Sequence, residues 1–176
     1  MSEPAGGRIE FLRTLRSVRD YLADPVPPAA LDDVLKVGRW SGSASNRQTW
    51  EIVIVRDPAA KQKLGEWGAG PAAKAALALV IVTPGDVERA ELEMFDDGRL
   101  AERLLLAAHA HGLGSCVAFL KGEGPANTKA LLGIPPERRV RSVVAIGVTD
   151  QAARAARPKN PQPRKPIGEL VHWDRF

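Results

Sequence analysis

Four short runs of aliphatic and β-branched residues punctuate the chain: Ile52 to Val55, Leu77 to Val82, Cys116 to Leu120 and Val143 to Val148. They are mostly continuous rather than alternating, which predicts strands covered on both faces. Helical spacing fills the intervals. Between Pro28 and Trp40, Leu31, Val34 and Leu35 share one face, with Asp32 and Asp33 early and Lys36 and Arg39 late, as the helix dipole prefers. The longest helix is predicted over Val87 to His111, stopped by Gly112 and Gly114. Its first half mixes charges with Leu92, Met94 and Phe95, whereas its second half, from Leu100 to Ala110, is apolar nearly all round. A helix of about 25 residues spans roughly 37 Å, more than a domain of this size encloses, so the pattern predicts burial against a second subunit. Ala126 to Leu132 forms a shorter helix before Ile134-Pro135-Pro136. The connection from Arg56 to Leu77 is short and offers little material to cap a substrate pocket. After Asp150 a Pro- and Arg-rich arm, about 151–176, ends in Leu170-Val171-His172-Trp173, an apolar tail predicted to be anchored.

At 176 residues the chain fits one domain, 1–176. The single Cys116 precludes an internal disulfide, and three histidines at no zinc spacing leave no metal expectation, so a reducing cytoplasm is the simplest compartment. The opening residues lack a signal-peptide stretch and no run approaches the roughly 18 apolar residues of a membrane span, so no membrane partner is expected. The net charge of +4 is unevenly placed. Five Lys/Arg and no acid lie between Gln151 and Gly168, and Arg8, Arg13, Arg16 and Arg19 crowd the first nineteen residues. Neither cluster interleaves aromatics or carries a reading motif, so no nucleic-acid partner is expected.

Three stretches offer chemistry. Arg16-Ser17-Val18-Arg19 flanks a hydroxyl with two forked cations, a composition that suits a phosphate, although surface arginines at a helix end would look the same. Ser41 to Gln48 is rich in small polar residues, and its Asn46 and Gln48 could read the carbonyls and nitrogens of a heterocycle, or simply face solvent. Gly112 to Leu120 passes from a helix stop into a strand whose backbone could line a planar ligand. Cys116 reads as a buried small hydrophobe. His109 and His111, two apart, make a poor metal pair and read as solvated helix-end residues, while Asp96-Asp97 reads as a solvated or interface turn. There is no GxxxxGK[ST], GxSxG, GxGxxG or HExxH pattern.

Taken in order, these stretches resemble the nitroreductase family of flavoenzymes. Arg16-Ser17-Val18-Arg19-Asp20-Tyr21 is similar to the family's basic opening, and Gly42 to Trp50 to its Pro-Ser-Ala-x-Asn-x-Gln-Pro-Trp loop. Ala108 to Ser115 matches its helix stop, and Arg164-Lys165-Pro166 followed by Glu169-Leu170-Val171 matches its late basic element and tail. The resemblance implies an α+β fold, a mixed, mainly antiparallel sheet flanked by helices, in a homodimer with FMN at the interface and NAD(P)H as electron donor. It further implies that Arg16, Ser17, Arg19 and Arg164 bind one side of the flavin. Gly42, Ser43, Ala44, Asn46 and Gln48 would come from the other subunit, and Val117, Ala118 and Phe119 would lie against the isoalloxazine. Hydride would pass through flavin N5 to a nitroaromatic, quinone or similar acceptor, with no catalytic acid or base assigned. The sequence departs from the family at Leu15, where a further basic residue is common, and at Gly42 and Thr49, which replace both loop prolines. A deazaflavin-dependent reductase and a flavin-storage protein with little turnover are the alternatives.

Overall fold

The central strand determines the arrangement. β2 (Leu77–Thr83) is apolar at every position but its last, and all seven of its side chains are buried. β1 (Glu51–Val55) pairs with one of its edges and β4 (Arg139–Gly147) with the other, while β3 (Gly114–Phe119) pairs with the far edge of β4. All these pairings are antiparallel, in the order β1-β2-β4-β3. The computed structural model describes residues 5–158 and 162–176.

Successive side chains of a strand point to opposite faces, so β2 feeds two cores. Leu77, Leu79 and Ile81 pack with α2 (Pro28–Arg39) and α5 (Ala90–Ala110). Ala78, Val80 and Val82 pack against α3 (Pro58–Glu66) and the Ala69–Ala72 turn of α4 (Gly70–Lys74), with Leu120 and Ile134 around α6 (Gly124–Leu132) completing that side. The protein is therefore α+β, a four-stranded sheet with helices on both faces, as the continuous apolar runs require.

The segment between Arg56 and Leu77 is not a bare connection but two helices, and they supply most of the second layer. Asp57 starts α3 by accepting a 2.7 Å hydrogen bond from the Ala60 amide, with Pro58 just inside the helix. The Lys61 ammonium donates to the carbonyls of Ala75 and Ala76, satisfying backbone oxygens beyond α4.

α5 also differs from its expected form. It begins at Ala90, and its apolar second half is buried within this chain: Leu100, Leu104 and Ala108 are fully enclosed by α2 and the sheet. No second subunit is needed there. The apolar surface left exposed belongs to the first half, at Leu92, Met94 and Phe95. The tail is likewise unanchored within the chain, since Ile167, Leu170, Trp173 and Phe176 are exposed. Asp96 and Asp97, expected at a solvated or interface turn, are buried within this chain; the Ser142 hydroxyl donates to Asp97 at 2.8 Å, and burial raises the pKa of Asp97.

Glu93 fastens α5 to the sheet. Its buried carboxylate accepts from the Thr83 hydroxyl and from the amides of Gly85 and Asp86, each at 3.0 Å, and it pairs with the Arg139 guanidinium. These contacts join the start of the helix to the end of β2 and the start of β4. Replacing Glu93 by Ala strands a partly buried cation and leaves three donors without their acceptor, so urea unfolding should show a loss of about 3 kcal/mol. A loss below about 1 kcal/mol would show that the anchor is dispensable.

Candidate functional site

After α1 (Ala5–Thr14) the chain runs extended along the edge of β3. Ser17 bridges Ser115 in the parallel sense, the Val18 amide donates to the Ser115 carbonyl at 2.8 Å, and the Leu22 amide donates to Val148 at 2.9 Å. Gly114 permits this close approach, because a Cβ there would fall 2.7 Å from a Val18 methyl and 2.5 Å from the Thr149 hydroxyl. The Tyr21 hydroxyl donates back to the Val18 carbonyl and closes the segment into a fixed turn.

This path places Arg16, Ser17 and Arg19 around a cavity of about 490 Å³, a volume ordinary for a cofactor site. Arg164 enters the same cavity from the arm. Residues nearly 150 positions apart in the chain are thus neighbours in space. Ser115 and Val117 of β3 form its floor, and Glu102 of α5 is the one carboxylate in a lining with three guanidinium groups. Leu15, where a further base was expected, lines it as well. None of Arg16, Arg19 and Arg164 is engaged in an ion pair among the described residues. Arg16 donates through one nitrogen to the carbonyls of Arg13 and Leu15, which leaves the rest of its guanidinium fork available.

Ser115 was not singled out in the sequence. Its hydroxyl is buried and has no hydrogen-bond partner, a situation that costs about 1 to 3 kcal/mol unless a ligand satisfies it. An oxyanion in this cavity would meet three cations and the Ser17 and Ser115 hydroxyls, so the donor set fits a phosphate-bearing cofactor. The adjacent Cys116 is buried and free, and burial pushes its thiol pKa up, which makes it a packing residue as expected.

The arm that delivers Arg164 is tied down by Asp20. Asp150 caps α7 (Gln151–Ala156) through the Ala153 amide at 2.9 Å, and the Asp150 amide donates to the Asp20 carbonyl at 3.1 Å. At the far end of α7, Arg157 makes a two-pronged pair with the Asp20 carboxylate, one contact being 2.9 Å, and Lys74 approaches within 3.4 Å.

The Ser41 to Gln48 loop is elsewhere. Gly42, Asn46 and Gln48 line a separate cavity of about 210 Å³ beside the exposed Trp40, and Ala44 faces another of about 430 Å³. The loop is built tightly: the Ser43 hydroxyl accepts from the Gln48 amide at 2.9 Å, Asp96 accepts from the Ala44 amide at 3.3 Å, and Ser45, Asn46 and Gln48 all have positive φ. One chain therefore assembles the basic half of the expected site and holds the loop half apart from it.

Strand alternation splits the third stretch. Val117 faces the basic cavity and the α2/α5 core, Ala118 packs into the opposite core, and Phe119 is exposed beneath the Arg141 guanidinium, 5.0 Å from its ring centre. Of the three side chains only that of Val117 lines the cavity. Of the helix-end histidines, His109 is half-buried and stacks on Phe11 at 4.8 Å, whereas His111 is exposed to solvent as expected and lies 3.2 Å from Asp33. Among the described residues no acid, His or Cys group could hold a metal, and no helix is long and apolar enough to cross a membrane.

A four-stranded antiparallel sheet with helices on both faces, carrying a basic cavity at its edge, defines the chain as an α+β protein. The model of the nitroreductase family matches residues 12–82 and 68–148, and the chain belongs to that family. It is 31% identical over 195 residues to a protein of Thermus thermophilus named NADH dehydrogenase, covering 90% of this chain and 91% of that one. In structure it is similar to the FMN-dependent nitroreductase of Clostridium difficile, with a TM-score of 0.79, 25% identity, and coverage of 96% and 99%. It is also similar to the NADPH:FMN oxidoreductase of Vibrio harveyi complexed with NAD+, with a TM-score of 0.78, 26% identity, and coverage of 96% and 75%.

The Asp20 tie makes stability depend on acid. Its hydrogen bond to Arg157 holds the Asp20 pKa near about 2, below the ordinary carboxylate value, so the stabilisation is present above about pH 4 and disappears as pH falls towards 2. Thermal midpoints should therefore place Asp20→Asn below the parent at pH 6, with the gap closing between pH 4 and pH 2. A gap constant across that range would mean that the pair contributes nothing.

Proposed function

We propose that the protein is an NAD(P)H-dependent flavin oxidoreductase, a homodimer that holds FMN between two copies and reduces nitroaromatics, quinones or similar acceptors. The observation that carries this reading is the basic cavity: three guanidinium groups with no ion pair among the described residues, brought together from the two ends of the chain, surround a buried Ser115 hydroxyl that has no hydrogen-bond partner among them. FMN supplies the hydride chemistry when bound, through its N5 position. Arg16, Arg19 and Arg164 hold the ribityl phosphate by charge-assisted hydrogen bonds, with Ser17 and Ser115 as neutral donors. The same positive field favours negative charge on the cofactor's pyrimidine edge. Val117 offers an apolar lining, and the backbone amides of Val117 to Phe119 would supply a donor to the ring system.

The second copy supplies Gly42, Ser43, Ala44, Asn46 and Gln48. Support for this assembly comes from the separation of the two halves within one chain and from unspent apolar surface. Met94 and Phe95 flank a groove of about 540 Å³ on α5, and the tail presents Trp173 and Phe176 to solvent. Exposed aromatic and aliphatic clusters of this kind mark association surfaces. The choice of cofactor is supported by two structural relatives, one described as FMN-dependent and another as an NADPH:FMN oxidoreductase complexed with NAD+.

The test is direct. The purified protein should be yellow or become so with FMN, release FMN on denaturation, and oxidise NADH or NADPH faster when a quinone or nitroaromatic is added. Protein that stays colourless with excess FMN overturns the reading. Arg16→Ala and Arg164→Ala should each weaken FMN binding about tenfold or more, the size of one lost charge-assisted hydrogen bond, with little change in thermal midpoint. Unchanged affinity in both variants would place the phosphate elsewhere.

A further inference from the structure

α5 reaches the Ser41 to Gln48 loop through one more residue, which also lines the groove beside Met94 and Phe95. Arg99 sits one helical turn after Asp96 and places its guanidinium directly on the Cα of Gly42. A Cβ at position 42 would lie 1.9 Å from Nη2 and 2.6 Å from Cζ of Arg99, so a side chain there would displace the guanidinium from this place. Arg99 has no ion-pair partner among the described residues; its other contact is with the Phe95 ring, 5.6 Å from the ring centre. Gly42 does not need its freedom for a left-handed turn, because its φ lies outside the positive region. The need is for room.

We infer that Arg99 is a positioning residue for the cofactor loop, and that Gly42 is glycine to admit it. Glycine is the softest point in a backbone, and here it stands at the start of a loop with positive φ at Ser45, Asn46 and Gln48. Such a segment holds one shape only if its surroundings restrict it. Asp96 restricts the loop at Ala44, Ser43 closes it on Gln48, and the flat guanidinium covers Gly42 and removes the slack at its beginning. Asp96 and Arg99, three apart on one face of α5, thus grip two successive parts of the loop. The link to flavin rests on the functional reading above; the link to loop order does not.

A double-mutant cycle on Arg99→Ala and Gly42→Ala tests this. The new methyl in Gly42→Ala displaces the guanidinium, so both single variants lose the same contact. Each should weaken FMN binding about fivefold to tenfold, and the double variant should be no weaker than the worse single, because the contact can be lost only once. Amide hydrogen exchange in 43–48 of the flavin-free protein should speed up in all three variants, with thermal midpoints near the parent's because Arg99 is exposed. Parental exchange rates in Arg99→Ala, or effects on affinity that multiply in the double variant, would overturn the inference. Should the parent bind no FMN at all, the functional reading fails, and the exchange measurement still decides the role of Arg99.

Discussion

Everything else in the structure depends on the enclosure of β2. A strand with seven buried side chains and partners on both edges requires two apolar layers and two antiparallel neighbours. One neighbour, β4, then has its outer edge free for β3, whose start in turn receives Ser17 and Val18, while Tyr21 and Leu22 pair with Thr149 and Val148 just beyond β4. The cavity is built at that last junction. Its floor residues, Ser115 and Val117, are held by the register with β4, opposite Ile146 and Val144. Packing two strands away from the site therefore sets where Ser17 and Arg19 stand.

The strands were legible because their apolar runs are long and dense, and α2 because its apolar face repeats at helical spacing. α3 and α4 were not. Their inward residues are mainly alanines, Ala60 and Ala72 with Leu64, too small and too few to give a periodic signal, and their starts depend on Asp57, Pro58 and Pro71. α5 was legible as a helix but misread in its burial. Local composition shows that the face from Leu100 to Ala108 must be covered; it does not show that α2 and the sheet can cover it, leaving Leu92, Met94 and Phe95 as the surplus.

In the site, charge and order carried the reading as far as they could. Arg16, Ser17, Arg19 and Arg164 line one cavity, and Gly42, Asn46 and Gln48 stand together at a second. Ser115 was hidden because a serine at the start of a strand has no distinguishing context until the opposite segment is in place. Asp96 and Asp97 were misjudged for a related reason: two adjacent acids suggest solvent, yet one caps a loop amide and the other takes a core hydroxyl. Gly42 is the converse case, a missing side chain whose meaning lies in what fills its place.

The two halves of the proposed site differ in how they are prepared. The basic half is preorganised by backbone, since Val18 and Leu22 are hydrogen-bonded into the sheet edge and Asp20 holds the arm. The loop half is preorganised by side chains of α5, against backbone strain on the order of 1 to 3 kcal/mol at each non-glycine residue held in the left-handed region. Strain of this size persists only where several contacts oppose it, and Asp96, Ser43 and Arg99 are those contacts. A loop already shaped in the free chain loses little further entropy when it meets a ligand, so its contribution to affinity is kept rather than spent on ordering. Because α5 also carries the exposed Met94 and Phe95, the helix that shapes the loop is the one offered to a second copy. In the proposed dimer, association and cofactor capture would be linked through this one element.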